Sequence, residues 1–575
     1  MASDFQVRGT NAAALFTLRV HRGDGMALLA MNWRGGEPPV DFVGFAIEYK
    51  EPGGDKFFAL KNRLGFLRAD GTVDPKTLST KQSPIQKFRW VHFPRNAEMD
   101  GAFTYRVTPV FMNEHDELSE GEAQQVEIEL RRDTYPGVLN VTFTRGFVSS
   151  QGFVDKFVTP TDGLQTLVPA RADDGLTFVA THPKAGEALS WMGFEARRAM
   201  LGLLDEALAD EKAQVRLVAY DLNEPEVVER LEKLGARLTA IIDDSDAHGK
   251  PGSAETQAAA RLTASAGATN VKRQHMGKLQ HNKTIVVNGP KVKAVLCGST
   301  NFSWRALFVQ SNSALVMRGA KAVAAFSTAF DNYWNRDTVS AFGASTSAEW
   351  TAINPGNLSV QVAFSPHSSK NALLASVAKD VATASSSLFY SLAFLYQTPG
   401  QMRDAITKVT NDDSVFVYGI SDRKVGGGLD LLRPDGNRAP VYPASISGEL
   451  PEPFKSEPTG LSGGAGTRMH HKFVVIDFDT PSARVYLGSY NFSVPADTSN
   501  GENLLLIRNR RVAVSYMVEA LRIFDHYHFR VLQQAAETKQ KTLHLRRPPR
   551  SAGEEPWWRR DFVEPRRVLD RELFS

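Results

Sequence analysis

Between Met26 and Leu130 the apolar residues come in short runs. They are Met26–Trp33, Phe42–Tyr49, Phe57–Leu60, Phe88–Phe93, Phe103–Met112 and Ala123–Leu130, broken by GGEPP, EPGGD and NEHDELSEGE. Short apolar runs bounded by Gly, Pro, Asn and Asp predict strands and turns. Residues 1–135 are therefore expected to form a small all-β sandwich. Trp33 is a candidate core residue, and Tyr105, in DGAFTYRV, stands where a tyrosine corner would sit. From residue 136 the pattern changes. Apolar runs of strand length, such as VRLVAYDL and LTAIIDD, alternate with longer helical patterns around Glu195–Ala209 and Glu224–Lys233. HNKTIVVN and KAVLCGSTNFS follow. The same order then returns: VQVAFSP, a helix around Asn371–Ala384, LFYSLAFLY, a helix around Gly400–Val409, VFVYGIS, HHKFVVIDF and ARVYLGSYNFS.

This is an internal duplication. It extends to NSALVMRG against ENLLLIRN, and to FDNYWNR against FDHYHFR. Each copy reads as an α/β layered lobe. We place the first at 136–350, the second at 351–535, and a basic, aromatic tail at 536–575. The Gly-, Pro- and Ser-rich stretch Ser421–Arg468 precedes the second motif; segments of this kind serve as lids or as solvated insertions.

In a strand, residues two apart share a face. His281 and Lys283 therefore project together, as do His470 and Lys472. By the same rule Ser299 pairs with Asn301, and Ser489 with Asn491. Bringing the two lobes together across a pseudo-two-fold would converge two each of His, Lys, Ser and Asn. Lysines and asparagines hold the non-bridging oxygens of a phosphodiester and stabilise the charge of its transition state. One histidine can attack phosphorus, and the other can protonate the leaving alkoxide. No metal or other cofactor is needed for that chemistry. His471 neighbours His470 but should face the other way, into packing. Cys297 reads as a buried strand residue.

The double pattern HxKxxxxD/N followed by GSxN resembles the phospholipase D superfamily over about residues 140–535, and the N-terminal region resembles a fibronectin type III module. The first resemblance implies one motif per lobe and a covalent phosphohistidine. It implies His281, Lys283, His470 and Lys472 as catalytic groups, with Ser299, Asn301, Ser489 and Asn491 binding substrate. Asn288 departs from the pattern where Asp477 keeps it. The position has odd parity from the histidine, so we expect it to support the fold. The resemblance also places an acidic residue behind the histidine of its own motif. Glu502 fits that place for His470, while its counterpart is Asn312, so His470 is expected as nucleophile and His281 as acid/base.

Composition changes this picture little. The chain has 575 residues, 42% hydrophobic and 23% charged, with a net charge of +3. Weak basicity fits an anionic partner without marking nucleic-acid binding. A single cysteine excludes a disulfide framework within the chain. No apolar run reaches the length of a membrane span and the N-terminus lacks a secretory pattern. A cytoplasmic location is the default expectation, with leaderless export as the other. The expected substrate is a phospholipid headgroup, with hydrolysis and transfer both open. A nuclease is the alternative, and a degenerate phosphate-binding module the second. Both motifs lie in one chain, so no oligomer is needed to complete a site. The tail could touch phosphates or pack Trp557, Trp558 and Phe562 back onto the domain; packing is the favoured expectation.

Overall fold

Among the described residues, nine strands occupy the N-terminal region: β1 (Gln6–Arg8), β2 (Phe16–Arg22), β3 (Ala27–Trp33), β4 (Phe42–Lys50), β5 (Phe58–Ala59), β6 (Arg89–His92), β7 (Ala102–Met112), β8 (Leu118–Glu120) and β9 (Gln124–Glu129). They come from a computed structural model that describes residues 4–94, 96–130, 133–146, 153, 156–395, 398–421 and 469–575. One sheet runs β1-β2-β3-β6, and the other β5-β4-β7-β8 with β9 paired to β7. All pairings are antiparallel. Alternate side chains meet between the sheets, as the period of two requires. Phe16, Phe45 and Tyr105 are buried there, and Trp33 packs on Phe42 at 4.7 Å between ring centroids. The Tyr105 hydroxyl lies 3.0 Å from His92 Nδ1. Its partner is thus a side chain, where a tyrosine corner would bond the main chain.

The first lobe contains β10 (Leu139–Phe143), β11 (Gln214–Ala219), β12 (Leu238–Ile242), β13 (Val271–Arg273), β14 (Lys283–Asn288), β15 (Lys293–Gly298) and β16 (Ser313–Arg318), in the order β10-β16-β15-β14-β11-β12-β13. The second contains β17 (Thr351–Ala352), β18 (Ser359–Ser365), β19 (Ser387–Leu392), β20 (Phe416–Ile420), β21 (Lys472–Ile476), β22 (Arg484–Gly488) and β23 (Glu502–Arg508), in the order β17-β18-β23-β22-β21-β19-β20. Six strands of each sheet correspond one to one; β13 and β17 are additions at opposite edges. The parallel pairs β11–β12 and β19–β20 also correspond. The duplication seen in the sequence is therefore a duplication of topology. The expected helices span Ala185–Ala209, Pro225–Leu234, Leu374–Val381 and Gln401–Thr410. Another, Ala254–Ala266, lies in the stretch that reads as merely polar.

One apolar core joins the lobes. It contains Ile285, Val287 and Leu296 from the first sheet, Phe473, Val475 and Leu505 from the second, and Val514, Met517 and Leu521 of the long helix Arg510–Thr538. Two short bridges stitch the lobes reciprocally: Gln280 to Gly501, and Met469 to Ser311. Gln280 and Met469 each precede a motif histidine; Ser311 and Gly501 precede Asn312 and Glu502.

The tail packs inward. Trp557 stacks on Phe88 at 5.3 Å and donates to the Phe42 carbonyl, while Trp558 belongs to the sandwich core. Phe562 lies against Phe88 and Trp558. Ser421 is described, whereas the rest of the stretch to Arg468 lies outside the described residues. No helix among the described residues is long and apolar enough to cross a membrane.

Candidate active site

Both motif strands begin at their lysines, Lys283 on β14 and Lys472 on β21, with the histidines just ahead. The antiparallel pairing of β14 with β15, and of β21 with β22, brings each GSxN turn to the same sheet end. Gly298 and Gly488 close those strands at φ 145° and 143°. A Cβ there would come within 2.5 Å of the Ser313 carbonyl oxygen or 2.3 Å of the Asn503 carbonyl oxygen, so only glycine fits.

The lobes meet at these ends. The His281 and His470 rings lie edge to face with centroids 6.5 Å apart, leaving room for a phosphoryl group between them. Lys472 Nζ donates to His470 Nε2 at 3.0 Å, and Lys283 Nζ donates to the His281 carbonyl. All four side chains are buried. Burial, followed by the adjacent lysines, pushes both histidines well below their usual pKa. Burial also lowers Lys283 to about 7 and Lys472 well below its usual value. Positive charge on these side chains is thus disfavoured by burial, and a phosphate anion beside them would offset that cost.

The histidine partners overturn one sequence expectation. Glu502 does not stand behind His470. Its Oε2 is 2.9 Å from His281 Nδ1, in the other lobe. His470 Nδ1 instead meets Asn312 Oδ1 at 2.9 Å. The cause is the pair of bridges: Gly501 aligns with Gln280, carrying Glu502 to His281, and Ser311 aligns with Met469, carrying Asn312 to His470. Sequence adjacency points to the wrong ring because these segments cross the pseudo-two-fold.

The partners also set the tautomers. Asn312 Nδ2 donates to the Ala306 carbonyl, which turns Oδ1 toward His470. His470 Nδ1 therefore carries the proton, and its Nε2 faces Lys472. Burial raises Glu502 to about 8, and both members of the His281–Glu502 pair are buried.

The serines are placed otherwise than expected. Ser299 Oγ donates to Asn312 Oδ1 and accepts from Ser313 N at 3.0 Å each. Ser489 Oγ accepts from Asn503 N at 3.0 Å. Both hydroxyls brace the segment carrying a histidine's partner. Asn301 and Asn491 each keep a buried Oδ1 with no partner among the described residues. Asp477 supports the fold, as its parity predicts: its carboxylate accepts from the backbone of Ser385, Ser386 and Ser387. Asn288 is exposed at the far end of β14, where its Oδ1 accepts from Lys293 Nζ at 3.0 Å. Buried His471 bonds Glu519 at 3.1 Å, and Cys297 is a buried thiol.

Three neighbours were missed. Tyr220 lies 4.8 Å from the His281 ring and beneath Lys283, while Phe394 lies 6.1 Å from His470 and beneath Lys472. Each follows the strand next to the motif strand, a signal legible in AYDL and AFLY. Asp221 accepts from Asn301 Nδ2 at 2.7 Å, tethering that amide. Asp221, His248 and Glu255 also form a cluster with cation-like spacing. Burial works against charge on His248, but its hydrogen bonds to the Asp221 and Asp243 carboxylates outweigh it and raise its pKa to about 10. A proton already balances that cluster.

The family model described as "Cardiolipin synthase, PLD-like domain" matches residues 204–334 and 445–524, which contain both motifs. Those two segments, which hold both motifs, are thus similar to a phospholipase D-like domain. A phospholipase D of Rickettsia prowazekii (strain Madrid E) is 44% identical over 48 residues, 8% of this chain and 22% of that protein. The chain thus spans about a fifth of the length of the curated relative it matches. Among solved structures, a phosphatidylserine synthase of Haemophilus influenzae Rd KW20 is 14% identical, covering 60% of this chain and 92% of that one at a TM-score of 0.42. A phospholipase D family member from Salmonella typhimurium is 24% identical, covering 24% and 88% at a TM-score of 0.20.

Proposed function

We propose that the protein is a phosphodiesterase that cleaves or exchanges phospholipid headgroups through a covalent phosphohistidine on His281. The observation that carries this reading is the opposed histidine pair, with a carboxylate behind only one ring. A carboxylate behind imidazole fixes its tautomer and raises its basicity. Glu502 does this for His281, so His281 Nε2 attacks phosphorus. The P–O bond to the leaving alcohol breaks, and His470, which takes up a second proton at Nε2 as the phosphate anion binds, gives that oxygen the proton. His470 then takes a proton from water or a second alcohol, which attacks phosphorus and breaks the N–P bond. Lys283, Lys472, Asn301 and Asn491 steady the phosphoryl oxygens. The charge that builds is met by these four side chains, so no metal enters the scheme.

The test is phosphorus NMR of mixed phospholipid vesicles in EDTA, comparing the intact protein with His281→Asn. Phosphatidate, or an exchanged headgroup, should form only with the intact protein. Silence from both samples, with cleavage of DNA or RNA instead, would replace the lipid with nucleic acid and leave the histidine chemistry in place.

A further inference from the structure

A second cavity, of about 1280 Å3, opens between the sandwich, the long helix Arg510–Thr538 and the tail. None of the motif residues lines it. Its chemistry is lopsided. Lys61, Lys87, Arg145, Lys541 and Arg546 line it, and none of these makes an ion pair with a described residue. Asp525 is the one acidic group among the described lining residues, and it is committed to Arg89 at 2.6 Å.

Arg145 is the telling member. It is 5% exposed, and its Nε has no hydrogen-bond partner. The guanidinium is instead boxed by three rings, lying 4.2 Å from Phe93, 4.4 Å from Phe194 and 4.6 Å from Trp191. Phe194 holds its place at φ 44°, a strained left-handed kink inside the helix Ala185–Ala209. Ring faces return only part of what a cation loses on leaving water. A buried arginine without an anion is otherwise costly. Burial drives its pKa down to about 9 and lowers that of Lys87 as well.

The tail completes the wall. Leu545 N donates to the Gly65 carbonyl, and the Arg546 backbone exchanges two hydrogen bonds with Gln86. This strap holds Arg546 and Lys541 over the opening. Trp90, Trp191 and Trp557 add flat apolar surface beside the cations.

We propose that this cavity is a binding site for a phosphate ester with a planar or apolar body, separate from the histidine pair. Cations that make no ion pair with a described residue take the phosphate oxygens, and the indoles take the body. A free nucleotide and a phosphorylated lipid headgroup share that chemistry. The cavity wall also reaches the catalytic one. Thr144, next to Arg145, accepts from Asn312 N at 3.0 Å, and Arg522, in the lining, pairs with Glu519, which holds His471.

The experiment titrates the full chain with ATP, inorganic tripolyphosphate and soluble dihexanoyl phosphatidate, reading tryptophan fluorescence and calorimetric heat. At least one probe should bind, with its affinity reduced more than tenfold by Arg546→Glu combined with Lys541→Glu. Both residues are exposed, so the variant should fold, and an unchanged melting temperature checks this. His281→Asn should bind the same probe as tightly as the parent. ATP binding alone would assign a free phosphorylated ligand; phosphatidate binding alone would assign a lipid headgroup. The proposal fails if no probe binds at millimolar concentration. It also fails if the double charge reversal leaves the affinity unchanged, or if His281→Asn abolishes binding.

Discussion

His281 and His470 occupy equivalent places in two lobes of matching strand order, yet one ring leans on the Glu502 carboxylate and the other on the Asn312 amide. A carboxylate supplies negative charge to a developing imidazolium, whereas an amide carbonyl supplies only a dipole. Duplication made two copies of a histidine, and the partners divided the work between them. In the proposed mechanism, what separates nucleophile from acid is the residue at 312 and at 502, and each acts across the interface. The comparison teaches that in a two-fold site the unit of function is the crossed pair, not the contiguous motif.

The sharpest way to break the comparison is to remove one histidine at a time. His281→Asn should abolish turnover, on the order of a million-fold for loss of a nucleophile, and no phosphoenzyme should be found. His470→Asn should cost about 10²–10⁴-fold with an alkyl leaving group, the usual range for a general acid. With a nitrophenyl leaving group, which departs without a proton, His470→Asn should still phosphorylate itself. Mass spectrometry should find the phosphate on the peptide carrying His281. Phosphate on the His470 peptide would reverse the roles.

A milder break equalises the partners. Glu502→Gln gives both rings an amide and should lower kcat about 100-fold while leaving KM nearly unchanged. Because His281 then loses its anionic partner, the pH profile should move as well as the rate. A purely structural role for Glu502 would lower stability and leave the profile in place. Asn312→Asp, the converse change, should restore little in the Glu502→Gln background, since it acts on the other ring.

The lysines sharpen the picture through pH. Lys283 is held at about 7 and Glu502 at about 8. Lys283 gains its charge as pH falls through 7, and Glu502 loses its charge as pH falls through 8. Both changes favour an anion in the site. Tungstate, a dianion throughout this range, should bind tightest near pH 6. It should weaken by up to about tenfold per pH unit for each proton linked. Calorimetry between pH 6 and 8.5 measures this, and a flat profile would remove Lys283 from the phosphate contacts.

Much of this was legible in the chain. The repeated phrase carries the duplication, and the period of two places histidine with lysine on one face. Parity also reads Asp477 as structural. What escaped was whatever depends on where two distant segments meet. Glu502 lies close in sequence to the His470 motif yet serves His281, because a short bridge at Gly501 overrides contiguity. Ser299 and Ser489 share a spacing rule with Asn301 and Asn491, but the strands end at Gly298 and Gly488, and past that point alternation no longer says where a side chain goes. Tyr220 and Phe394 carry no chemistry that a motif search weighs; they matter by packing beneath the lysines.

The smallest effects concern the far end of the motif strands, where Asn288 replaces the aspartate of the pattern. In the second lobe Asp477 reaches from the β21–β22 hairpin to the loop before β19, accepting from three backbone N–H groups at 2.8–3.2 Å. In the first lobe the same junction is stapled from the other side. Asp210, in the loop before β11, accepts from Lys291 N at 2.8 Å and Val292 N at 3.1 Å in the β14–β15 hairpin. The carboxylate has changed sides, and Asn288 is left exposed with nothing to hold but Lys293. Asp477→Ala should therefore cost about 2–4 kcal/mol, since hydrogen bonds to a charged group are worth about 1.5–3 kcal/mol and three N–H groups lose theirs, that of Ser387 in a buried position. Asp210→Ala should lower the urea midpoint in the same direction. Asn288→Ala should change stability by less than about 0.5 kcal/mol, as for an exposed side chain without a special role. Urea unfolding of the three variants decides the matter. If Asn288→Ala destabilises as much as Asp477→Ala, the staple is on the hairpin in both lobes and its reversal is wrong.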